Sequence, residues 1–244
     1  MSEFKGKTVV ILNASSGIGL SVASAFLSQG AKIVAIENQA GLDVVKSSLN
    51  GAHGGEYHCI EAGGDCPALF DRCEKQVGPV DIFICAAPPI DNVRVLDMSA
   101  ASLREIVEDE LVAPALLMQE AARRMAARGQ GRIIVFFSMS AKTGVHTNTA
   151  PFAAAKGGLL AYARVMAAEL APYGVTVNSI ATSLFEPQVV NMEKTERDAL
   201  AKAIPVRRFG RPAEAAHAAV FLASNDAAFI TGETMNMSGG RFMD

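Results

Sequence analysis

The chain has 244 residues, half of them apolar, which is enough for one well-buried core. Its formal net charge of −3, with 22 Lys and Arg residues spread along the chain, provides no basic stripe for nucleic acid and no polybasic segment for a membrane. We therefore expect a single domain over residues 1–244, with neither nucleic-acid nor membrane partners. The N-terminal segment lacks the apolar core of a signal peptide, and no apolar run is long enough to span a membrane, so we expect a cytoplasmic protein.

The cysteines show no metal-ligand or redox spacing. No pair forms a C-x-x-C motif, and a cytoplasmic protein is not expected to hold disulfides. We predict free thiols that fill core volume, and no metal site. The four positions are Cys59, Cys66, Cys73 and Cys85.

Short β-branched runs alternate with longer helical patterns in chain order. This alternation predicts right-handed β-α-β crossovers and a doubly wound α/β fold, with a parallel sheet covered by helices on both faces. An alanine-rich stretch from Ala100 to Ala127 suits a long packed helix. The predicted strands are Thr8 to Leu12, Lys32 to Ile36, Asp81 to Ala86, Arg132 to Phe137 and Val175 to Ile180.

A glycine-containing turn lies between the first predicted strand and a helix that runs to about Gln29. In this position glycines let the backbone approach a pyrophosphate, and the helix N-terminus directs amide hydrogens and a positive dipole end at it. Glu37 stands at the end of the second strand, where an acidic residue bonds ribose hydroxyls and disfavours a 2′-phosphate. The turn reads Asn13-Ala14-Ser15-Ser16-Gly17-Ile18-Gly19.

Two interpretations of this turn stay open. If a dinucleotide binds, NAD is favoured over NADP. Alternatively, Gly17 and Gly19 only permit tight packing of strand on helix, and Glu37 is a solvated strand end.

A set of landmarks extends over nearly the whole chain: Gly17-Ile18-Gly19, Asp81, Gly131-Arg132-Ile133-Ile134, Ser138, Lys156, Val177-Asn178, Phe221-Leu222-Ala223-Ser224, Ile230-Thr231-Gly232-Glu233 and Gly239-Gly240. Together they resemble the classical short-chain dehydrogenase/reductase family. The resemblance implies a Rossmann sheet of about seven strands, a nicotinamide cofactor, and tetramers built partly on paired long helices. Here those helices are expected at roughly Ala101 to Ala127 and Phe152 to Leu170.

The catalytic residues of that family are only partly kept. The segment from Pro151 to Gly158 resembles its Tyr-x-x-x-Lys motif, yet Phe152 stands where the proton-donating tyrosine belongs. The resemblance leaves Ser138 and Lys156 as remnants of the catalytic set, with Ser140 a rival for the serine. General acid catalysis contributes about 10²- to 10⁴-fold, so a chain without a donor should transfer hydride very slowly.

Further departures lie where the family lines its cofactor. Leu12-Asn13 replaces Thr-Gly, Cys85-Ala86-Ala87-Pro88 replaces Asn-Asn-Ala-Gly, Glu110 replaces the helix asparagine, and Thr182-Ser183 replaces Pro-Gly. Asn13 can still adopt a left-handed backbone, whereas Pro88 removes an amide and fixes φ. NAD is therefore the expected cofactor, but retention of its binding is open. Its candidate contacts are Asn13, Ser15, Ser16, Gly17, Ile18, Gly19, Glu37, Ala87 and Lys156.

The ionisable residues expected near the cleft include candidates for a substitute acid. We expect Glu110 to form an ion pair with Lys156, since each charge lowers the cost of burying the other. The alternatives are catalysis by Glu110, by a water bound to Lys156, or by His146, whose imidazole titrates near neutral pH.

Three functions follow from this pattern. The first is a non-catalytic subunit that pairs with an active homologue in a hetero-oligomeric NAD-dependent dehydrogenase of hydroxyacyl substrates or secondary alcohols. The second is an active NAD(H)-dependent oxidoreductase, homotetrameric as its family implies, that uses a substitute acid. The third is a redox-independent lyase resembling the halohydrin dehalogenases, which keep the tyrosine that this chain lacks.

Overall fold

The computed structural model describes residues 3–50, 55–86, 92–144 and 147–243, and its centre is one seven-stranded sheet. Its strand pairings are parallel, in the order β3-β2-β1-β4-β5-β6-β7. The α/β prediction of a doubly wound sheet with about seven strands is confirmed. The strands are β1 Thr8–Leu12, β2 Lys32–Glu37, β3 Tyr57–Glu61, β4 Val80–Cys85, β5 Gly131–Ser138, β6 Val175–Thr182 and β7 Thr234–Met237.

The five strands predicted from β-branched runs are all present, with ends that differ by two residues at most. The pattern did not reveal β3 and β7. β3 lies at the sheet edge and mixes polar with apolar residues, and β7 is only four residues long without a β-branched run. Both strands therefore lack the continuous apolar signal of a buried central strand.

Ten α-helices surround the sheet in the described part of the chain. They are α1 Gly17–Leu27, α2 Gln39–Leu49, α3 Cys66–Val77, α4 Ala100–Val107, α5 Ala113–Arg128, α6 Ser140–Thr143, α7 Ala150–Leu170, α8 Glu186–Val189, α9 Lys194–Ala203 and α10 Pro212–Ala223. Both predicted long helices exist. The first is α4 and α5 joined by a π-helical turn at Glu108–Val112.

The π turn has a cause in the sequence. Pro114 lies inside the long helix, has no N–H, and its ring would collide with the carbonyl of Glu110 in regular α geometry. The helix widens instead, and the Ala113 N–H donates to the Glu108 carbonyl, an i→i−5 bond.

The core has two layers, one on each face of the sheet. On one face the sheet packs against α3, α5 and α7, and on the other against α1, α2 and α10. The central strands are thus covered by apolar side chains on both sides, as parallel sheets require.

Two of the family landmarks hold the sheet together. The Asp81 carboxylate accepts hydrogen bonds from the Thr8 N–H at 3.0 Å and from Lys7 Nζ at 3.3 Å, which ties β1 to β4. The Asn178 side chain donates to the Ile230 carbonyl at 2.8 Å and accepts from the Glu233 N–H at 3.1 Å, which fixes the segment entering β7. These residues serve the fold and lie in strands rather than in the cleft.

Candidate functional site

The strand order reverses between β1 and β4, and the loops that follow these strands meet at the carboxyl edge of the sheet. Open α/β sheets bind ligands at such a switch point. The turn after β1, the end of β2, and the loops after β5 and β6 all reach this edge. The site residues predicted from the sequence, where the structure describes them, therefore belong to one region.

The glycine turn has the backbone that a phosphate loop needs. Asn13 has φ of 58°, the left-handed conformation that an asparagine can adopt, and its Nδ2 donates to the Ala86 carbonyl at 3.3 Å. Ser16 caps α1 by accepting from the Gly19 N–H at 3.0 Å. A Cβ at Gly19 would lie 2.5 Å from the Asn13 carbonyl oxygen, so only glycine fits there. Ile18 packs against the core on the α1 side.

Glu37 points into this turn rather than to solvent. Its Oε1 accepts the Ser15 N–H at 2.8 Å and the Ser15 hydroxyl at 2.6 Å, and the residue is only 8% exposed. The interpretation of Glu37 as a solvated strand end is therefore wrong. Its carboxylate already holds a backbone amide of the loop that a nucleotide would address.

Pro187, in α8, lies directly on Gly17. A Cβ built at Gly17 would stand 2.7 Å from Pro187 Cγ and 3.0 Å from Pro187 Cβ. In a phosphate loop this face of the glycine is where the backbone approaches pyrophosphate. Sequence reasoning missed this contact because α8 follows β6, far from the glycine turn along the chain.

Phe152 and Lys156 lie on α7, and Glu110 lies on the π turn. Lys156 is fully buried, and its Nζ lies 2.7 Å from Glu110 Oε2, which confirms the predicted ion pair. The two atoms meet at an angle unfavourable for a hydrogen bond, and neither makes another one within the described residues. Lys156 Nζ also lies 5.8 Å from the centroid of the buried Phe152 ring, within the range of a cation–π contact.

The serines after β5 form a pair of their own. Ser138 Oγ lies 3.0 Å from Ser140 Oγ and accepts the Ser140 N–H at 3.2 Å. Both hydroxyls thus stand at the carboxyl end of β5. In the loop after β6, Ser183 is 7% exposed, and its Oγ has no hydrogen-bond partner in the part of the chain that the structure describes.

A recess of about 320 Å³ opens beside Glu110 and Phe152. Three of its described lining residues are carboxylates, and none is Lys or Arg. Phe152 forms part of its wall and contributes an apolar ring to it. The lining residues are Asn92, Val93, Ser102, Glu105, Ile106, Asp109, Glu110 and Phe152.

Cys85 lies at the end of β4 and is fully buried. Burial raises the pKa of its thiol, and Glu110 raises it further against the opposing effect of Lys156. The four cysteines are free thiols, as predicted, but only Cys73 and Cys85 are buried in the core, whereas Cys59 and Cys66 are partly exposed.

Three residues that the sequence singled out, Ala87, Pro88 and His146, lie outside the described residues. Within residues that are described, no group of three or more His, Cys, Asp or Glu side chains is arranged to hold a metal ion. The described helices include none long and apolar enough to cross a membrane.

A doubly wound parallel sheet with a glycine turn and a helix N-terminus at its switch point defines the Rossmann-type class of α/β proteins. Residues 13–241 match the family model described as enoyl-(acyl carrier protein) reductase. The chain thus belongs to the short-chain dehydrogenase/reductase family of oxidoreductases, which confirms the resemblance seen in the sequence.

Similar proteins extend over the same length. The chain is 31% identical over 243 residues to 3-oxoacyl-(acyl-carrier-protein) reductase FabG of Vibrio cholerae serotype O1, and 30% identical over 243 residues to that of Escherichia coli strain K12, with 99% of both chains covered in each case. A solved structure of a variant actinorhodin polyketide ketoreductase with NADPH has a TM-score of 0.86 at 24% identity, covering 96% of this chain and 97% of that one. The last similarity supports the fold.

Proposed function

We propose that this chain is a non-catalytic subunit that pairs with an active homologous short-chain dehydrogenase in a hetero-oligomeric, NAD-dependent dehydrogenase of hydroxyacyl substrates or secondary alcohols. The chain resembles in this respect the degenerate subunit of a heteromeric enzyme, the hydroxybenzylsuccinyl-CoA dehydrogenase of anaerobic toluene degradation.

The observation that carries the proposal is the Phe152–Lys156–Glu110 contact. In the family the lysine lowers the pKa of the catalytic tyrosine and holds the ribose. Here the ammonium group is neutralised at 2.7 Å by Glu110 and faces an aromatic ring that has no proton to donate. The ammonium group thus has a counter-charge in Glu110 and an aromatic neighbour in Phe152, and neither neighbour is the hydroxyl that the family uses as its acid.

The recess beside Glu110 and Phe152 also favours a non-catalytic role. Its carboxylates repel anionic substrates, and its described lining has no cation to hold a phosphate or carboxylate group. A thioester substrate that carries phosphates would meet unfavourable electrostatics on the way to Phe152.

The surface of the long helices suits assembly. Leu116 on α5 is 48% exposed and Val165 on α7 is 58% exposed, so each helix presents an apolar side chain outward from the core layer that they share. The family resemblance implies that tetramers form through these helices, and an active homologue would offer a similar surface.

A second candidate is an active oxidoreductase, since the curated relatives are reductases of 3-oxoacyl groups on acyl carrier protein. The contact that favours it is again Glu110 with Lys156, because a carboxyl or ammonium group beside the recess is a potential proton donor. This candidate requires turnover by the chain alone.

The test compares the isolated chain with the chain drawn from its source. The purified chain is assayed with NADH and NADPH against a 3-oxoacyl thioester, and with NAD against secondary alcohols. Native mass spectrometry then measures the complex isolated from the source cells. Background activity together with a mass that requires a second, homologous chain supports the proposal. Turnover by the isolated homo-oligomer would establish the second candidate instead.

A further inference from the structure

The face of the glycine turn that a pyrophosphate would use is covered by the protein itself. Pro187 touches Gly17 so closely that the Cβ of an alanine at position 17 would stand 2.7 Å from Pro187 Cγ. Real carbon atoms need about 3.5 Å or more. No group the size of a phosphate fits between these two residues.

The segment that carries Pro187 is firmly anchored. Phe185 is 2% exposed, and its ring lies against Gly210, where a Cβ would stand 2.7 Å from Phe185 Cζ. The backbone pairs with Gly210 through two hydrogen bonds of 3.0 Å, one from the Glu186 N–H and one to the Leu184 carbonyl. Val189 at the other end of α8 is fully buried. Both ends of the short helix are thus held, and Pro187 is held with them.

The electrostatic requirement of the turn is also met internally. A helix N-terminus attracts negative charge, and here the Glu37 carboxylate supplies it through the Ser15 N–H at 2.8 Å and the Ser15 hydroxyl at 2.6 Å. Gly41 keeps the space behind this carboxylate open, since a Cβ there would lie 2.6 Å from Glu37 Oε2. The Glu37 carboxylate thus takes the place of the pyrophosphate charge, and the Pro187 ring fills the space on Gly17 that the pyrophosphate would use.

We propose that Pro187 and Glu37 are intramolecular occupants of the dinucleotide site, which take the place of the pyrophosphate on the glycine turn and close this chain to NAD(H). The inference rests on the proposed function for its biological meaning, whereas its physical content comes from contacts that Phe152, Lys156 and Glu110 do not make. The turn, α1 and α8 then form a stable corner without a cofactor.

A double-mutant cycle tests the Pro187–Gly17 contact. Gly17→Ala introduces a methyl group against Pro187, and overpacking of this kind lowers the melting temperature by roughly 2–12 °C in a protein of this size. In a Pro187→Gly background the methyl group has room, so Gly17→Ala is neutral or stabilising, because alanine is the better helix former. Glycine is used at position 187 because Pro187 Cβ itself would stand 3.0 Å from the new methyl group.

Gly157→Ala on α7 is the matched control. A Cβ there meets only the Ala141 carbonyl oxygen at an ordinary 3.5 Å, so this helical glycine should accept a methyl group in either background. All variants are compared at one protein concentration. The decisive comparison is made in the protein that keeps Pro187. If Gly17→Ala and Gly157→Ala change the melting temperature equally there, Pro187 does not occupy the turn in solution and the proposal is wrong.

Calorimetric titration of NADH into the unmodified chain provides the second measurement. We expect no saturable heat up to about 1 mM, the upper end of ordinary KM values. Saturable binding in the micromolar range overturns the proposal, since α8 would have to leave the turn. That result leaves the catalytic argument standing if the chain still shows no turnover, so the two conclusions fail separately.

Discussion

Removing the carboxylate of Glu110 should destabilise the protein far more than removing the carboxylate of Asp109. Lys156 is fully buried and the Glu110 side chain is 15% exposed, so Glu110→Gln leaves an ammonium group in the core without a counter-charge. Breaking a buried pair in this way costs about 3–5 kcal/mol. For a chain of this length that corresponds to a fall in melting temperature of roughly 6–20 °C.

The control is Asp109→Asn, one residue earlier in the same π turn. Asp109 is exposed and has no ion pair among the described residues, so its substitution should change stability by less than about 0.5 kcal/mol. Thermal melting followed by circular dichroism, at one protein concentration, compares the two variants.

A second variant separates charge from packing. Adding Lys156→Met to Glu110→Gln removes the uncompensated ammonium group, and we expect at least half of the lost stability to return. Equal melting temperatures for Glu110→Gln and Asp109→Asn would refute the view that the pair holds this corner. A double variant no more stable than Glu110→Gln would show that packing, not charge, sets the cost.

Three further outcomes are expected. Phe152→Tyr alone should give no turnover above background in an NADH oxidation assay, because the new hydroxyl meets a lysine already neutralised by Glu110; rapid turnover would contradict the impaired-site argument. Asn13→Ala should be about 1–2 kcal/mol less stable than Asn13→Gly in denaturant unfolding, because both variants lose the hydrogen bond to the Ala86 carbonyl and only alanine is strained at φ of 58°. The pKa of Glu214 is lowered to about 2, first by its hydrogen bonds with Arg208, so its stabilising effect is full above its ordinary value of 4.5 and is lost as the pH falls toward 2. The difference in melting temperature between the protein and Glu214→Gln should therefore shrink over that pH interval, and a constant difference would count against the ion pair.

Most of the fold could be predicted from the sequence because its signals are local. Five apolar strands, the glycine turn and both long helices can each be recognised within a short window of residues. The ion pair of Glu110 with Lys156 was also predictable, since a carboxylate beside a buried lysine has few other partners. The resemblance to a known family supplied the remaining strands, which are too polar or too short to be recognised alone.

The state of the nucleotide site was less predictable, for a physical reason. Glu37 had two potential partners, a ribose or the protein itself, and the outcome depends on how closely Ser15 approaches it in the folded chain. Pro187 meets Gly17 only after β6 and α8 are in place. Neither contact leaves a periodic or local trace, so only the three-dimensional arrangement reveals them.

Pro114 influences the ion pair of Glu110 with Lys156, although it belongs to neither residue of the pair. By denying the helix one N–H it forces the π turn at Glu108–Val112, and the turn determines the direction in which Glu110 leaves the helix. The uncharged ring of Pro114 thus determines that the Glu110 carboxylate points toward Lys156. A regular α-helix through position 114 would rotate the residues before the π turn by about 100° in total relative to α5, and it would present a different side chain to the lysine. The identity of the lysine's partner is therefore encoded partly in backbone geometry, and a comparison of related chains restricted to the two charged positions would overlook it.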